Sequence, residues 1–227
     1  TTIPAGSTAQ TAFRGRWRLA GNVQCPFAPL VLRTPRVMLR PVAQRRDGSM
    51  EPVVRNSFVC GRWQDNPPPD DATIMIADPV YGSEDVPALV AMAVERRLPS
   101  AIFMWPDDVW GLPAKPEQLM HWIKPESTKN TAKRYSRFVE VIACYGLTFA
   151  EPLHWSNRTG IFTDRLFRND EHKWKKPESL IERLIRNHWP GHGIVYDPCA
   201  GSRTVETVCR RLGIGSMSVD IANLGLR

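Results

Sequence analysis

The stretch from Gly193 to Ile221 constrains the fold more than any other part of the chain. Gly193 to Tyr196 is a short apolar strand, stopped by Asp197 and Pro198. Thr204 to Leu212 has helical spacing, with Val205, Val208, Cys209 and Leu212 on one face and Gly213 in the position of a C-cap. Ser216 to Val219 is the next strand, closed by Asp220. A strand, a Gly-containing turn, a helix and a second strand ending in an acid make one crossover unit of an α/β sheet. Such sheets bind ligands outside the carboxyl ends of their strands, and an acid ending the second strand is placed to take ribose hydroxyls. Gly201 lets the backbone approach a ligand, and the helix N-terminus adds partial positive charge. Alone, a single Gly-Ser turn is equally the turn of an ordinary strand-turn-helix that binds nothing.

The flanking residues narrow the reading. The run Asp197-Pro-Cys-Ala-Gly-Ser-Arg-Thr204 follows Lys176-Pro177 and a helical segment to Ile185. Far upstream, the apolar strand Ile74 to Ala77 ends in Asp78-Pro79-Val80-Tyr81. In this order the segments resemble the β-group DNA amino-methyltransferases, whose catalytic motif Asp/Ser-Pro-Pro-Tyr lies before the cofactor motif. Val86 to Leu98 as a helix, Ala101 to Trp105 as a strand, and Gln118 to Ile123 with Phe138 to Tyr145 as paired late strands fit the same family, so the resemblance spans Thr73 to Ile221. It implies a Rossmann-like, S-adenosylmethionine-dependent α/β fold: a three-layer sandwich, circularly ordered with the catalytic motif before the cofactor motif. The expected division is an arginine-rich extension and proline-rich loop over residues 1–70 and a methyltransferase-like domain over 71–227.

The resemblance also implies a chemistry. The exocyclic amine of a base is a poor nucleophile because its lone pair is delocalised into the ring. In the family an acid and a neighbouring backbone carbonyl accept its N–H bonds, and an aromatic ring stacks on the flipped base. Carried over, Asp78 and the Pro79 carbonyl are the acceptors and Tyr81 is the stacking ring. Lys176, Asp197, Pro198, Ala200, Gly201, Ser202 and Asp220 fall at cofactor-binding positions, with S-adenosylmethionine as cofactor and no metal. Adenine N6 is expected over cytosine N4 because the motif opens with Asp. Two positions depart from the pattern. Val80 replaces the second proline of the catalytic motif, removing a fixed φ. Arg203 replaces the second glycine of the cofactor turn, where it adds bulk and positive charge near a cationic sulfonium and opposes a positive φ. These departures keep open a catalytically inactive, methyltransferase-like structural subunit of a nucleoprotein assembly such as an organellar ribosome.

Charge is uneven along the 227 residues. No acid precedes Asp47, while Arg14, Arg16, Arg18, Arg33, Arg36, Arg40, Arg45 and Arg46 all do, and the net charge of the whole chain is +7. Arg14, Arg16, Trp17 and Arg18 interleave charge with an aromatic ring, which suits nucleic-acid phosphates and stacking; a solvated arm is the alternative, and such segments also resemble organellar targeting sequences. Lys124, Lys129, Lys133, Arg134 and Arg137, accompanied by Trp122 and Tyr135, are either a phosphate track or a solvated hairpin loop. Asp65-Asn-Pro-Pro-Pro-Asp70 mimics the catalytic motif but has neither a strand before it nor an aromatic after it, so it reads as a rigid loop. The five cysteines, Cys25, Cys60, Cys144, Cys199 and Cys209, lack disulfide or metal spacing and read as buried thiols of a reducing compartment. His188 and His192 are separated by Pro190 and Gly191 and read as surface loop. The span from Ala150 to Lys176 is too short for a large target-recognition domain, so specificity is expected from loops or from a partner protein. The expected partner is nucleic acid, DNA or the RNA of a nucleoprotein particle, not a membrane; the expected setting is intracellular, in cytoplasm, nucleoid or mitochondrial matrix.

Overall fold

The computed structural model describes residues 55–124, 138–153, 158–165 and 175–221. All belong to the second of two compact units, which starts at Pro52. Among the described residues, eight strands and three α-helices follow in chain order: β1 (Asn56–Cys60), β2 (Ala72–Ala77), α1 (Asp85–Glu95), β3 (Ser100–Met104), β4 (Gln118–Ile123), β5 (Val139–Tyr145), β6 (Ile161–Phe162), α2 (Glu178–His188), β7 (Ile194–Asp197), α3 (Thr204–Leu212) and β8 (Gly215–Asp220). The strands form one sheet in the order β1-β8-β7-β2-β3-β5-β4-β6. The pairs β1–β8, β8–β7, β7–β2 and β2–β3 are parallel; β5 runs antiparallel to β3 and to β4, and β6 is parallel to β4.

Both faces of this sheet are covered, and the strands show why. Successive side chains point to opposite faces, and in β2, β3 and β5 both sets are apolar. Ile74, Ile76, Ala101, Phe103, Ile142 and Cys144 pack in one core with α2 and α3. Their neighbours Met75, Ala77, Ile102, Met104, Val141 and Ala143 pack in a second core with α1. The result is the expected three-layer, Rossmann-like α/β sandwich. Helix α2 places Leu180, Ile181, Leu184 and Ile185 on the sheet, all almost fully buried, and each contributes at most about 1.5–3 kcal/mol of apolar burial. Helix α3 ends where the sequence puts its cap: Gly213 has φ 69°, and Ile214 N–H donates to Cys209 O at 2.9 Å. No described helix is long and apolar enough to cross a membrane.

Strand β1 lies before residue 71, where the sequence reading began the domain. Its register with β8, from Asn56↔Ser216 to Cys60↔Asp220, makes it the edge of the sheet. An edge strand reading Asn-Ser-Phe-Val-Cys has too little apolar alternation to announce itself. The Asp65–Asp70 segment is the expected loop, anchored by the Tyr196 hydroxyl donating to Asn66 O at 2.7 Å. Three smaller readings change. His188 is the last residue of α2, stacked on Phe149, rather than part of a loop. Cys60 is exposed rather than buried, because the C-terminal end of an edge strand lacks a covering layer. Trp122 and Lys124 are buried, because they sit at the end of β4 between β5 and β6, so neither belongs to a solvated basic surface.

Candidate functional site

Topology gathers the candidate residues at one end of the strands. The order reverses between β7 and β2: β7 leads through α3 to β8 on one side, and β2 through α1 to β3 on the other. The carboxyl ends of these four strands therefore surround the switch point where α/β sheets bind ligands. Strand β4 runs the same way and delivers Lys124 to this end, and antiparallel β5 delivers Glu140 from its beginning. A cavity of about 1280 Å³ opens here. Every candidate catalytic and cofactor residue within the described residues lines it: Asp78, Pro79, Tyr81 and Lys176 at one end, and Asp197, Pro198, Ala200, Gly201, Ser202 and Asp220 at the other. Arg14, Arg16, Trp17, Arg18, Lys129, Lys133 and Arg134 lie outside the described residues.

The turn after β7 is built for a close approach. Gly201 has φ 44°, and a Cβ there would meet only Cys199 O, at an ordinary 3.9 Å, so glycine is needed for its backbone conformation rather than for room. Its N–H donates to Asp220 Oδ2 at 2.7 Å, tying the turn to the end of β8. Beneath it, Asp197 Oδ1 accepts the Cys199 N–H at 3.2 Å. Burial pushes the Asp197 carboxyl well above the usual range; the Cys199 bond opposes this, and the nearby charges of Asp78, Asp220 and Glu206 add to it. Asp197 thus braces the loop, and Asp220 lines the cavity beside it. A wall that the sequence did not reveal comes from Gly61 to Gln64 after β1. Gly61 N–H donates to Asp220 O at 2.8 Å, and Trp63 Nε1 donates to Asp85 Oδ1 at 3.0 Å.

Arg203 does not line the cavity. It holds the left-handed conformation expected of the glycine it replaces, with φ 57°. Its side chain turns toward β1, its guanidinium 4.4 Å from the Phe58 ring centroid and its Nε donating to Glu206 Oε2 at 2.6 Å. The expected intrusion does not occur, because Phe58 and the buried Glu206 provide a site on the far side. Val80 likewise leaves its side chain 77% exposed. Its loop is held instead by Ser83, whose hydroxyl donates to Val80 O at 2.6 Å and whose N–H donates to the same oxygen at 3.2 Å.

At the other end, charges interlock. Lys176 Nζ donates to Asp78 Oδ2 at 2.6 Å and lies 3.4 Å from Glu140 Oε2. Lys124 Nζ donates to Glu140 Oε1. The Tyr81 hydroxyl stands 2.9 Å from Asp78 Oδ1 and 2.7 Å from Glu140 Oε2, with one proton to give to either. Burial, then the Asp78 and Glu140 charges, push the Tyr81 phenol well above its ordinary range, so it remains a neutral donor. The ammonium of Lys124 sits 4.7 Å from the Trp105 ring centroid and that of Lys176 5.3 Å from the Tyr81 centroid; the two rings meet edge-on at 5.2 Å. Lys176, expected on the cofactor, has its ammonium on the candidate catalytic acid. Sequence reading missed Glu140, Trp105 and the role of Lys124. The one available signal for Glu140 was an acid inside the apolar run Val139–Tyr145.

Comparisons with known proteins agree with this architecture. A family model for N6/N4 methyltransferases, described as DNA methylase, matches residues 103–223. Among solved structures, the chain is similar to M1.HpyAVI in its SAM complex, with TM-score 0.57 and 16% identity, over 74% of this chain and 93% of that one. It is similar to the PvuII DNA methyltransferase (cytosine-N4-specific), with TM-score 0.52 and 14% identity, over 74% and 82%. A putative DNA modification methylase from Thermus thermophilus, complexed with S-adenosyl-L-methionine, gives TM-score 0.51 and 16% identity over 74% and 88%. At these identities the structures establish a shared fold. No curated protein matches the chain.

Proposed function

Because the chain belongs to the N6/N4 DNA methylase family, we propose that it is an S-adenosylmethionine-dependent methyltransferase that acts on the exocyclic amine of a base in DNA. The single observation that carries the reading is that Asp78 and Tyr81 share one cavity with Gly201 and Asp220, at the switch point of the sheet. The residues present fit the cofactor. Asp220 ends β8 on the cavity and would hold ribose hydroxyls, and the Gly201 turn presents backbone to the rest of the molecule. When bound, the cofactor supplies an electrophilic methyl group on a cationic sulfur. Asp78 accepts an N–H of the amine, which localises the nitrogen lone pair toward that methyl. The amine would take that methyl group from the cofactor, which would leave as the neutral thioether. The methylated amine then loses one proton to Asp78 or to water. Tyr81 and Trp105 provide the aromatic walls for the base. The opening Asp of the motif favours adenine N6 over cytosine N4, and a DNA substrate implies a DNA-containing compartment.

The test is methylation of DNA with isotopically labelled S-adenosylmethionine, followed by nucleoside analysis, with RNA in parallel. N6-methyladenine is the expected product. N4-methylcytosine would change the base but keep the enzyme, and label in RNA alone would change the substrate. Cofactor binding without any transfer would revive the inactive-subunit reading, which drew on Val80 and Arg203. Neither side chain closes the cavity, and that supports the enzyme instead. Accordingly, Arg203→Gly is expected to leave cofactor affinity within about threefold, since the side chain lies off the cavity. Its stability is expected to fall by about 1 kcal/mol in urea denaturation. Relief of left-handed strain, about 1 kcal/mol, is smaller than the loss of a charged hydrogen bond to buried Glu206, about 1.5–3 kcal/mol.

A further inference from the structure

We infer that Glu140 is a positioning residue that keeps the floor of the cavity electrically neutral, so that two lysines can orient Asp78 without repelling a cationic methyl donor. The inference rests on the methyltransferase reading and extends it to residues outside both family motifs. Glu140 is 5% exposed, at the start of β5, opposite Trp122 of β4. Both of its oxygens are engaged: Oε1 accepts from Lys124, while Oε2 lies 2.7 Å from the Tyr81 hydroxyl and 3.4 Å from Lys176. A carboxylate buried this deeply is costly, and an apolar side chain usually packs such a position as well or better. The arrangement is understandable when its charges are considered together.

Asp78 needs a fixed orientation if it is to accept an amine N–H. Lys176 holds one carboxylate oxygen, and the Tyr81 hydroxyl, with its one proton to give to Asp78 or to Glu140, lies against the other. An ionised carboxylate accepts up to about four hydrogen bonds, so these contacts orient Asp78 and still leave lone pairs for the amine. Lys176 brings a positive charge to the cavity, however, and Lys124 brings a second, each about nine-tenths buried. Asp78 alone balances one of them. Glu140 balances the other and bridges the two ammoniums, so the floor carries no net charge. Without Glu140 the floor would be cationic, next to a ligand whose reactive group is also cationic. A neutral thioether product would not feel that difference, which gives the inference a signature distinct from simple loss of structure.

The experiment is calorimetric titration of the full chain and its variants with S-adenosylmethionine and with S-adenosylhomocysteine, which differ at sulfur by the methyl group and the charge. Glu140→Gln keeps the shape and removes the charge. It is expected to weaken S-adenosylmethionine binding by about tenfold, the scale of one unit charge about 12 Å away at an effective dielectric near 20, with S-adenosylhomocysteine changed by less than about twofold. Lys124→Met, which makes the floor anionic, is expected to shift the ratio of the two affinities in the opposite direction. The double variant, neutral again, is expected to return it toward the wild-type value. In methylation assays, kcat of Glu140→Gln is expected to fall by about 10- to 100-fold with KM for DNA unchanged. Equal effects on both ligands, or the same sign of change in both single variants, would overturn the inference while leaving the methyltransferase reading intact. If Glu140→Gln does not fold, Lys124→Met alone decides by its sign. A wild-type chain that binds neither ligand would overturn the underlying reading and the inference with it.

Discussion

Replacing Asp78 by Ala is expected to lower kcat for methyl transfer by about a thousandfold at saturating cofactor. Proton-accepting groups in the transition state contribute about 10² to 10⁴, and in the proposed mechanism Asp78 is the group that makes this contribution. Its carboxylate ends β2 on the cavity, 30% exposed, with one oxygen held by Lys176 and the other within reach of Tyr81. The substitution removes the acceptor and leaves the 3.4 Å contact to Glu140 as the ion pair of Lys176 among the described residues. It also removes a negative charge from the floor, so S-adenosylmethionine affinity is expected to weaken by about tenfold, as for Glu140→Gln. Comparing kcat at saturation with the dissociation constant separates the effects. A kcat within tenfold of wild type would remove Asp78 from the chemistry. Asp78→Asn is a sharper companion. The amide keeps the shape and one acceptor oxygen, so it is expected to retain more activity than Ala but to lose most of it.

The fold was legible wherever apolar patterning coincided with punctuation. Thr204 to Leu212 shows one apolar face and ends at Gly213, and the strands on either side stop at Asp197-Pro198 and at Asp220. Ile74 to Ala77 and Ala101 to Trp105 read as strands because both faces of β2 and β3 are buried, which leaves continuous apolar runs, although β3 ends one residue earlier, at Met104. What stayed hidden depends on partners far away in the chain. Glu140 is an unexplained acid in β5 until Lys124 arrives from β4 and Lys176 from the segment before α2. Lys124 looked like one member of a basic run because sequence groups neighbours, whereas the end of β4 places it between two tryptophans and a carboxylate. Arg203 seemed to belong in the cavity because its motif places that position there. Only the pairing of β1 with β8 brings Phe58 close enough to draw it away. In each case the chemical type of the residue was readable, and its direction was set by strand order.

Asp220→Ala is expected to weaken S-adenosylmethionine binding by about a hundredfold while leaving kcat at saturating cofactor within about tenfold. Asp220 stands at the end of β8, the second strand of the crossover that starts at β7, where an acid meets the two hydroxyls of a ribose. Hydrogen bonds to a charged acceptor are worth about 1.5–3 kcal/mol each, and losing one to two of them gives the hundredfold change. A second cost adds to the first. Oδ2 of Asp220 accepts the Gly201 N–H at 2.7 Å, and Gly201 holds a positive φ that its own side chain cannot enforce. Without that bond the turn loses its tie to β8, and the backbone surface facing the cofactor is less well ordered. Asp220→Asn distinguishes the two contributions. Its amide oxygen can still accept from Gly201, so the turn is kept, while the charge that strengthens the ribose contacts is lost; an intermediate affinity is expected. The same variants should affect S-adenosylhomocysteine almost as strongly as S-adenosylmethionine, because the ribose is common to both. That pattern would separate a role of Asp220 toward the nucleoside from the role proposed for Glu140 toward the charge on sulfur. Affinity within threefold of wild type in Asp220→Ala would mean that the acid at the end of β8 does not hold the cofactor, and that the cavity takes a ligand without a ribose at that position.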